Sequence, residues 1–132
     1  SICRKTAGGG GYAINIGADF STLEVQGEDR IAVFHAKIRK EENGTIEESP
    51  GERRFCSDCG SALWVWDPRW PELVHPFASA IDTELPTPPG QTHMMLASKT
   101  VWVRADVADG DRSFDAYPDE SLAQWHRRQG LE

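Results

Sequence analysis

Apolar residues that recur at every second position constrain the fold of this chain most. The alternation is clearest in residues 31–38, where one set of positions is apolar: Ala32, Phe34, Ala36 and Ile38. A period of two places these side chains on one face of a β-strand. The central part of the chain contains no comparable helical period. We therefore predict a mainly β fold.

A turn signal and several further apolar stretches extend this prediction. Asn43-Gly44 tolerates positive φ and favours a two-residue hairpin turn, after which Thr45 would begin the returning strand. Further strands are predicted in segments that Gly, Pro and Asp separate: residues 12–16, 23–26, 62–66, 73–80, 94–97 and 101–104.

A short helix is predicted at the C-terminus. Ser121 and Gln124 have the spacing of a capping box after Pro118, and Gly130 suits the position that follows a helix. The apolar pattern also predicts which side chains lie in the interior: Phe34, Ala36, Ile38, Leu63, Val65 and Leu122.

Length and charge limit the class of protein. The chain has 132 residues, of which 39% are hydrophobic and 27% charged, as expected for one globular domain. A formal charge of -7 argues against nucleic acid and anionic lipid as partners. The sequence contains neither an apolar run near the roughly 18 residues of a membrane span nor a signal peptide. We expect a cytoplasmic protein, whose exposed strand edges would allow a homodimer.

Cys56 and Cys59 form a C-x-x-C pair followed by Gly60. Three cysteines cannot all pair within one chain, and a reducing compartment disfavours disulfides. Two thiolates at this spacing can hold one Zn²⁺ from a tight turn, which supplies half of a tetrahedral site. A redox pair of the thioredoxin type and a pair of free thiols are the alternatives.

Cys3 lies beside two cations, Arg4 and Lys5, which favour the thiolate form of its side chain. A cysteine without a functional role is the alternative. The glycine run at residues 8–11 is either a flexible loop or backbone that a ligand approaches closely. We interpret the four histidines as structural residues: His35, His75, His93 and His126. A metal ligand, such as His35 or His93, is the alternative.

Taken together, these motifs resemble the glutathione-dependent formaldehyde-activating enzyme family. The resemblance covers nearly the whole chain and rests on five segments in order. They are S-I-C-R-K-T at residues 1–6, F-C-S-D-C-G-S at 55–61, the Pro-rich residues 86–90 before His93, Ser98-Lys99 before Trp102, and residues 114–118. Membership implies a β-tent zinc fold of small antiparallel sheets and a single family domain over residues 1–132.

The resemblance also implies two zinc sites. Cys56 and Cys59 would form the second half of a structural site that an N-terminal C-x-C completes. Cys3 would be the last cysteine of a C-x-C-x-x-C motif that binds the catalytic zinc. The partner cysteines of both motifs would precede Ser1, so we expect this chain to lack the family's N-terminal cysteine segment.

The implied reaction is addition of the glutathione thiol to formaldehyde, which gives S-hydroxymethylglutathione; its reverse is a carbon–sulfur lyase reaction. Zinc would be the cofactor and glutathione the co-substrate, and another thiol adduct or small aldehyde is an alternative substrate. The basic residues Arg4 and Lys5 could bind glutathione carboxylates; solvated charges near the terminus are the alternative. A non-catalytic, zinc-stabilised binding domain is the competing hypothesis.

Overall fold

The computed structural model describes residues 2–7 and 9–131. Within them the chain divides into two compact units, one of residues 2–84 and one that begins at Leu85, and each is described by itself. The single domain over residues 1–132 remains a prediction. No helix in the described ranges is long and apolar enough to cross a membrane.

The larger unit is built on a five-stranded antiparallel sheet that follows a short helix, α1 (Ile2–Thr6). Its strands are β1 (Ala18–Asp19), β2 (Ile31–Arg39), β3 (Ile46–Cys56), β4 (Ala62–Trp66) and β5 (Leu73–Pro76). The order across the sheet is β1-β5-β4-β3-β2, so four strands that follow one another along the chain also pair with one another. The predicted mainly β fold is confirmed.

The β2–β3 hairpin has the predicted position but a longer loop. The amide of Lys40 donates to the Thr45 carbonyl at 2.8 Å, which leaves residues 41–44 as a four-residue loop rather than a two-residue turn. Of the predicted turn pair only Gly44 has a positive φ, 70°. The Asn43 side chain instead accepts a hydrogen bond from the Thr45 amide at 3.0 Å, so the two-residue turn was wrong.

The core of the larger unit contains Ala36, Val74 and Phe77, which are all buried. Ala36 was predicted correctly, but Phe34 and Ile38 are 43% and 46% exposed. The physical reason is that β2 is the edge strand and that its register against β3 shifts between residues 35 and 37. The alternating apolar residues of β2 therefore do not form one continuous buried face. Leu63 and Val65 on β4 are half-buried.

The smaller unit contains a two-stranded sheet, β6 (Thr92–His93) and β7 (Arg112–Ser113), and the helix α2 (Leu122–Gln129). This sheet is parallel, so the expectation of antiparallel sheets holds only for the larger one. The capping box of α2 is present, and Gly130 follows it with φ 69°. Leu122 is exposed, contrary to the prediction, because it is the first residue of the helix.

Four predicted strands are absent from the described residues. Residues 12–16 contribute a single bridge, Asn15 to Phe77, and residues 23–26 and 101–104 are turns or irregular chain. Residues 94–97 instead lead into a short 3-10 helix, Leu96–Ser98. Met95 has φ 61°, which is incompatible with a strand, and Val101 is 98% exposed. The predicted strand 62–66 is confirmed, whereas the one at 73–80 ends at Pro76.

Candidate active site

The C-x-x-C segment is the turn that joins β3 to β4. The Cys56 amide donates to the Ser61 carbonyl at 2.9 Å, and the Gly60 amide donates to the Cys56 carbonyl at 2.8 Å. Gly60 has φ 74°, a left-handed conformation that side chains other than glycine adopt with strain. The turn therefore closes tightly and brings the thiols of Cys56 and Cys59 together.

Hydrogen bonds favour the thiolate form of Cys59. Its Sγ lies 3.1 Å from the Ser61 hydroxyl. This contact, followed by hydrogen bonds from the Ser61 backbone and from Cys56, lowers the pKa of Cys59 below its usual value. The thiolate is the form of cysteine that binds metals and attacks electrophiles.

Arg30, in the segment that precedes β2, contacts the turn that contains Cys56 and Cys59. Both the amide and the hydroxyl of Ser57 donate to the Arg30 carbonyl, at 2.8 and 2.9 Å. An ion pair between Arg30 and Asp58 adds a contact of 2.9 Å between two exposed side chains. Exposed pairs of this kind contribute at most about 1 kcal/mol, so the Ser57 hydrogen bonds are the more important restraint.

The donor set around the turn does not fit a complete zinc site. Among residues 2–7 and 9–131 no group of three or more His, Cys, Asp or Glu side chains is placed to hold a metal. Cys56 and Cys59 provide two thiols, which is half of a tetrahedral set. The roles of Cys3, Cys56 and Cys59 as metal ligands therefore remain predictions.

The four histidines have partners within the protein. His35 Nδ1 lies 3.1 Å from the Ser49 carbonyl, and His126 Nδ1 lies 2.8 Å from the Leu122 carbonyl. His75 is half-buried and bonded to the backbone of Ile16; its burial lowers its pKa. These contacts support the structural interpretation.

His93 belongs to a network around Asp111 in the smaller unit. The Asp111 carboxylate accepts hydrogen bonds from the amides of Gln91 and Ala108, at 2.7 and 3.0 Å, and lies 3.0 Å from His93 Nε2. These bonds, the backbone ones foremost, lower the pKa of Asp111 from 3.8 to about 2. The carboxylate thus ties β6 to the loop that leads into β7.

Cys3 lies on α1 and contacts a cation that the sequence did not indicate. Arg53 Nη2 lies 3.5 Å from Cys3 Sγ, and Nη1 of the same guanidinium lies 3.4 Å from Thr6 Oγ1. The Arg53 guanidinium therefore donates to two side chains of α1. Arg53 is 50 residues from Cys3 in sequence and stands in the charged part of β3, so no local pattern could have singled it out.

A cleft of about 660 Å³ opens beside α1, within the larger unit. It is called the large cleft below. Its walls are lined by Arg4, Lys5, Thr6, Ala7, Gly9, Ser61, Ala62, Leu63, Ser79, Ala80 and Asp82. Pockets of 300–1,000 Å³ are typical of small-molecule sites. Of the glycine run, Gly9 borders the cleft, and Gly8 lies outside the described residues.

The charges of the large cleft are mixed. Arg4 and Lys5 contribute two cations and Asp82 one carboxylate. Two hydroxyl residues, Ser61 and Ser79, also line the cleft. Arg4 Nε is buried and has no hydrogen-bond partner in the described part of the chain. A buried donor without an acceptor costs roughly 1–3 kcal/mol.

The comparison with known proteins agrees with the motifs. A protein of Halomonas elongata named "Putative glutathione-dependent formaldehyde-activating enzyme" is 59% identical over 132 residues, which is 100% of this chain and 80% of the relative. The chain belongs to the glutathione-dependent formaldehyde-activating enzyme family. No family model matches it, and no solved structure matches it. Membership of the formaldehyde-activating enzyme family thus rests on sequence identity over the whole chain.

Proposed function

We propose that this chain is a carbon–sulfur lyase-type enzyme that acts on the glutathione adduct of formaldehyde or of a related small aldehyde. The observation that supports this proposal best is the charge pattern of the large cleft. Glutathione carries two carboxylates and one ammonium group, and the cleft offers two cations, Arg4 and Lys5, and one carboxylate, Asp82. The name of the Halomonas elongata relative supports the same substrates.

In the proposed reaction the glutathione thiolate attacks the carbonyl carbon of the aldehyde. A carbon–sulfur bond forms, the electron pair of the carbonyl π bond moves to oxygen, and that oxygen takes up a proton. In the reverse direction the hydroxyl loses its proton and the carbon–sulfur bond breaks, which releases thiolate and aldehyde. The reaction needs neither an oxidant nor a reductant.

The chain's own residues contribute orientation and charge. Arg4 and Lys5 would bind the carboxylates of the tripeptide and so hold its sulfur in one position, which replaces an encounter of two free molecules by a reaction within a complex. Arg53, beside Cys3, would stabilise negative charge on sulfur near α1. The setting we propose is the cytoplasm, where thiols are kept reduced.

Zinc dependence is a separate part of the proposal. As the resemblance implies, Cys56 and Cys59 would be structural ligands and Cys3 a ligand of the catalytic zinc, in each case together with ligands that the described residues do not supply. Because the described residues supply no complete donor set, we assign no step of the reaction to a metal.

Exchange spectroscopy by NMR tests the enzymatic proposal. With the chain present, glutathione and formaldehyde should exchange with their adduct faster than in buffer alone. Arg4→Gln should raise the glutathione concentration needed for half-maximal exchange by about 10-fold or more, because a charge-assisted hydrogen bond contributes about 1.5–3 kcal/mol. Lys37→Gln, an exposed change on the edge strand β2, is the matched control. Exchange at the uncatalysed rate would refute the enzymatic proposal and favour a binding domain.

A further inference from the structure

A second cavity, of about 250 Å³, lies against the sheet of the larger unit and is called the apolar pocket here. It is lined by Thr6, Phe34, Arg53, Arg54, Phe55, Ala62 and Phe77. Three of these side chains are phenylalanine rings. Apolar pockets with few polar groups are typical sites for the hydrocarbon part of a ligand.

The charged groups at this pocket already have partners. Arg54 forms an ion pair with Glu52, and its Nε lies 3.1 Å from Glu52 Oε2. Arg53 contacts Cys3 and Thr6. Both guanidinium groups are thus engaged by other side chains, and the remaining lining residues are apolar except Thr6.

The apolar pocket adjoins the proposed glutathione site. Thr6 and Ala62 line both cavities. Arg53, which lines the apolar pocket, also contacts Cys3 Sγ. A ligand held in the large cleft could thus extend a substituent on its sulfur past Thr6 and Ala62 towards the phenylalanine rings.

Formaldehyde makes no use of such a pocket. Its single carbon carries no hydrocarbon group, whereas the pocket measures about 250 Å³. Burial of hydrocarbon strengthens binding about fourfold for each methylene group that leaves water. The pocket therefore matches a larger adduct than the one formaldehyde forms.

We propose that the apolar pocket binds the hydrocarbon part of a larger aldehyde, so that the substrate class is the glutathione hemithioacetal of an apolar aldehyde. This inference rests on the proposed function. The chemistry is unchanged: sulfur attacks the carbonyl carbon, the carbonyl oxygen takes up a proton, and the reverse step releases thiolate and aldehyde. Selectivity comes from the substituent on that carbon.

Calorimetric titration with two stable thioethers, S-methylglutathione and S-hexylglutathione, tests the proposal without catalysis. We expect the hexyl compound to bind at least about tenfold more tightly than the methyl compound. Full burial of the extra methylene groups would give a larger gain in affinity, but Phe34 is partly exposed and leaves the pocket partly open to solvent. Phe34→Ser should remove most of this preference. Val33→Ser is the matched control, since Val33 is similarly exposed and points to the opposite face of β2.

Each other outcome has a definite meaning. Equal affinity for the two thioethers would refute the proposed role of the apolar pocket and would leave the proposed binding of glutathione in the large cleft standing. A hexyl preference that survives in Phe34→Ser would place the hydrocarbon elsewhere and overturn the assignment. If neither thioether binds, both this inference and the glutathione part of the proposed function are wrong.

Discussion

Phe77 is the side chain whose removal should destabilise the larger unit most. It is 2% exposed, and its amide donates to the Leu63 carbonyl at 3.0 Å, so both its ring and its backbone are held by the sheet. Replacement of a buried phenylalanine by alanine costs roughly 3–5 kcal/mol, because the lost contacts leave a cavity. We expect Phe77→Ala to lower the free energy of unfolding by about 4 kcal/mol.

Phe34→Ala is the matched control, because Phe34 lines the same pocket but is 43% exposed. Full burial of a phenylalanine contributes about 1.5–3 kcal/mol, so the partly exposed ring should contribute about 1–2 kcal/mol. Urea titration followed by circular dichroism measures both variants. If Phe77→Ala costs less than about 2 kcal/mol, or no more than Phe34→Ala, the ring of Phe77 is not the centre of this core.

Three further predictions concern a glycine contact, a carboxylate and the zinc content. Gly90→Ala would place a Cβ 2.7 Å from the Gly110 carbonyl oxygen, so it should lower the free energy of unfolding, measured by urea titration, by about 1–3 kcal/mol. Gly10→Ala is the control: its nearest neighbour would lie at 3.8 Å, so this change should leave the free energy of unfolding unchanged. Because folding lowers the pKa of Asp111 from 3.8 to about 2, its ionised form stabilises the fold above about pH 4, and this stabilisation is lost as the pH falls towards 2. Thermal melts of Asp111→Asn should therefore change less with pH across this window than melts of the unmodified chain. Elemental analysis should find well under one zinc per chain, because Cys56 and Cys59 supply only half of a site; stoichiometric zinc that resists chelators would show that other residues complete it.

Local patterns predicted the parts of the fold that local interactions determine. The capping box of α2 needs only Ser121 and Gln124, three residues apart, and it formed as expected. Strand 62–66 was also predicted, because an apolar strand pattern is a property of a short segment. The position of the β2–β3 hairpin was predicted from Gly44, which does adopt the left-handed conformation. The parallel pairing of β6 with β7 was missed, since each strand has two residues and carries no period.

The candidate site shows the same division. The tight turn around Cys56 and Cys59 was expected from C-x-x-C followed by glycine. Arg53 was not expected, because its relevance depends on how α1 packs against the sheet. Asp82 was not expected either, because it reaches the cleft from a distant part of the sequence. Charged residues of β3 look like a solvated strand in sequence, and only the position of α1 gives Arg53 a partner.

The strand order of the larger sheet has a consequence for the order in which the proposed site assembles. Strands β2 to β5 pair with their neighbours along the chain, so this meander can form through contacts of short sequence separation, which form rapidly. The contacts of α1 with Arg53 instead close loops of 47 and 50 residues. One wall of the large cleft should therefore dock last and open first, before the sheet unfolds. Native-state hydrogen exchange would detect this as faster exchange in residues 2–7 than in β3 and β4, and substrate entry would then need only the undocking of one short helix.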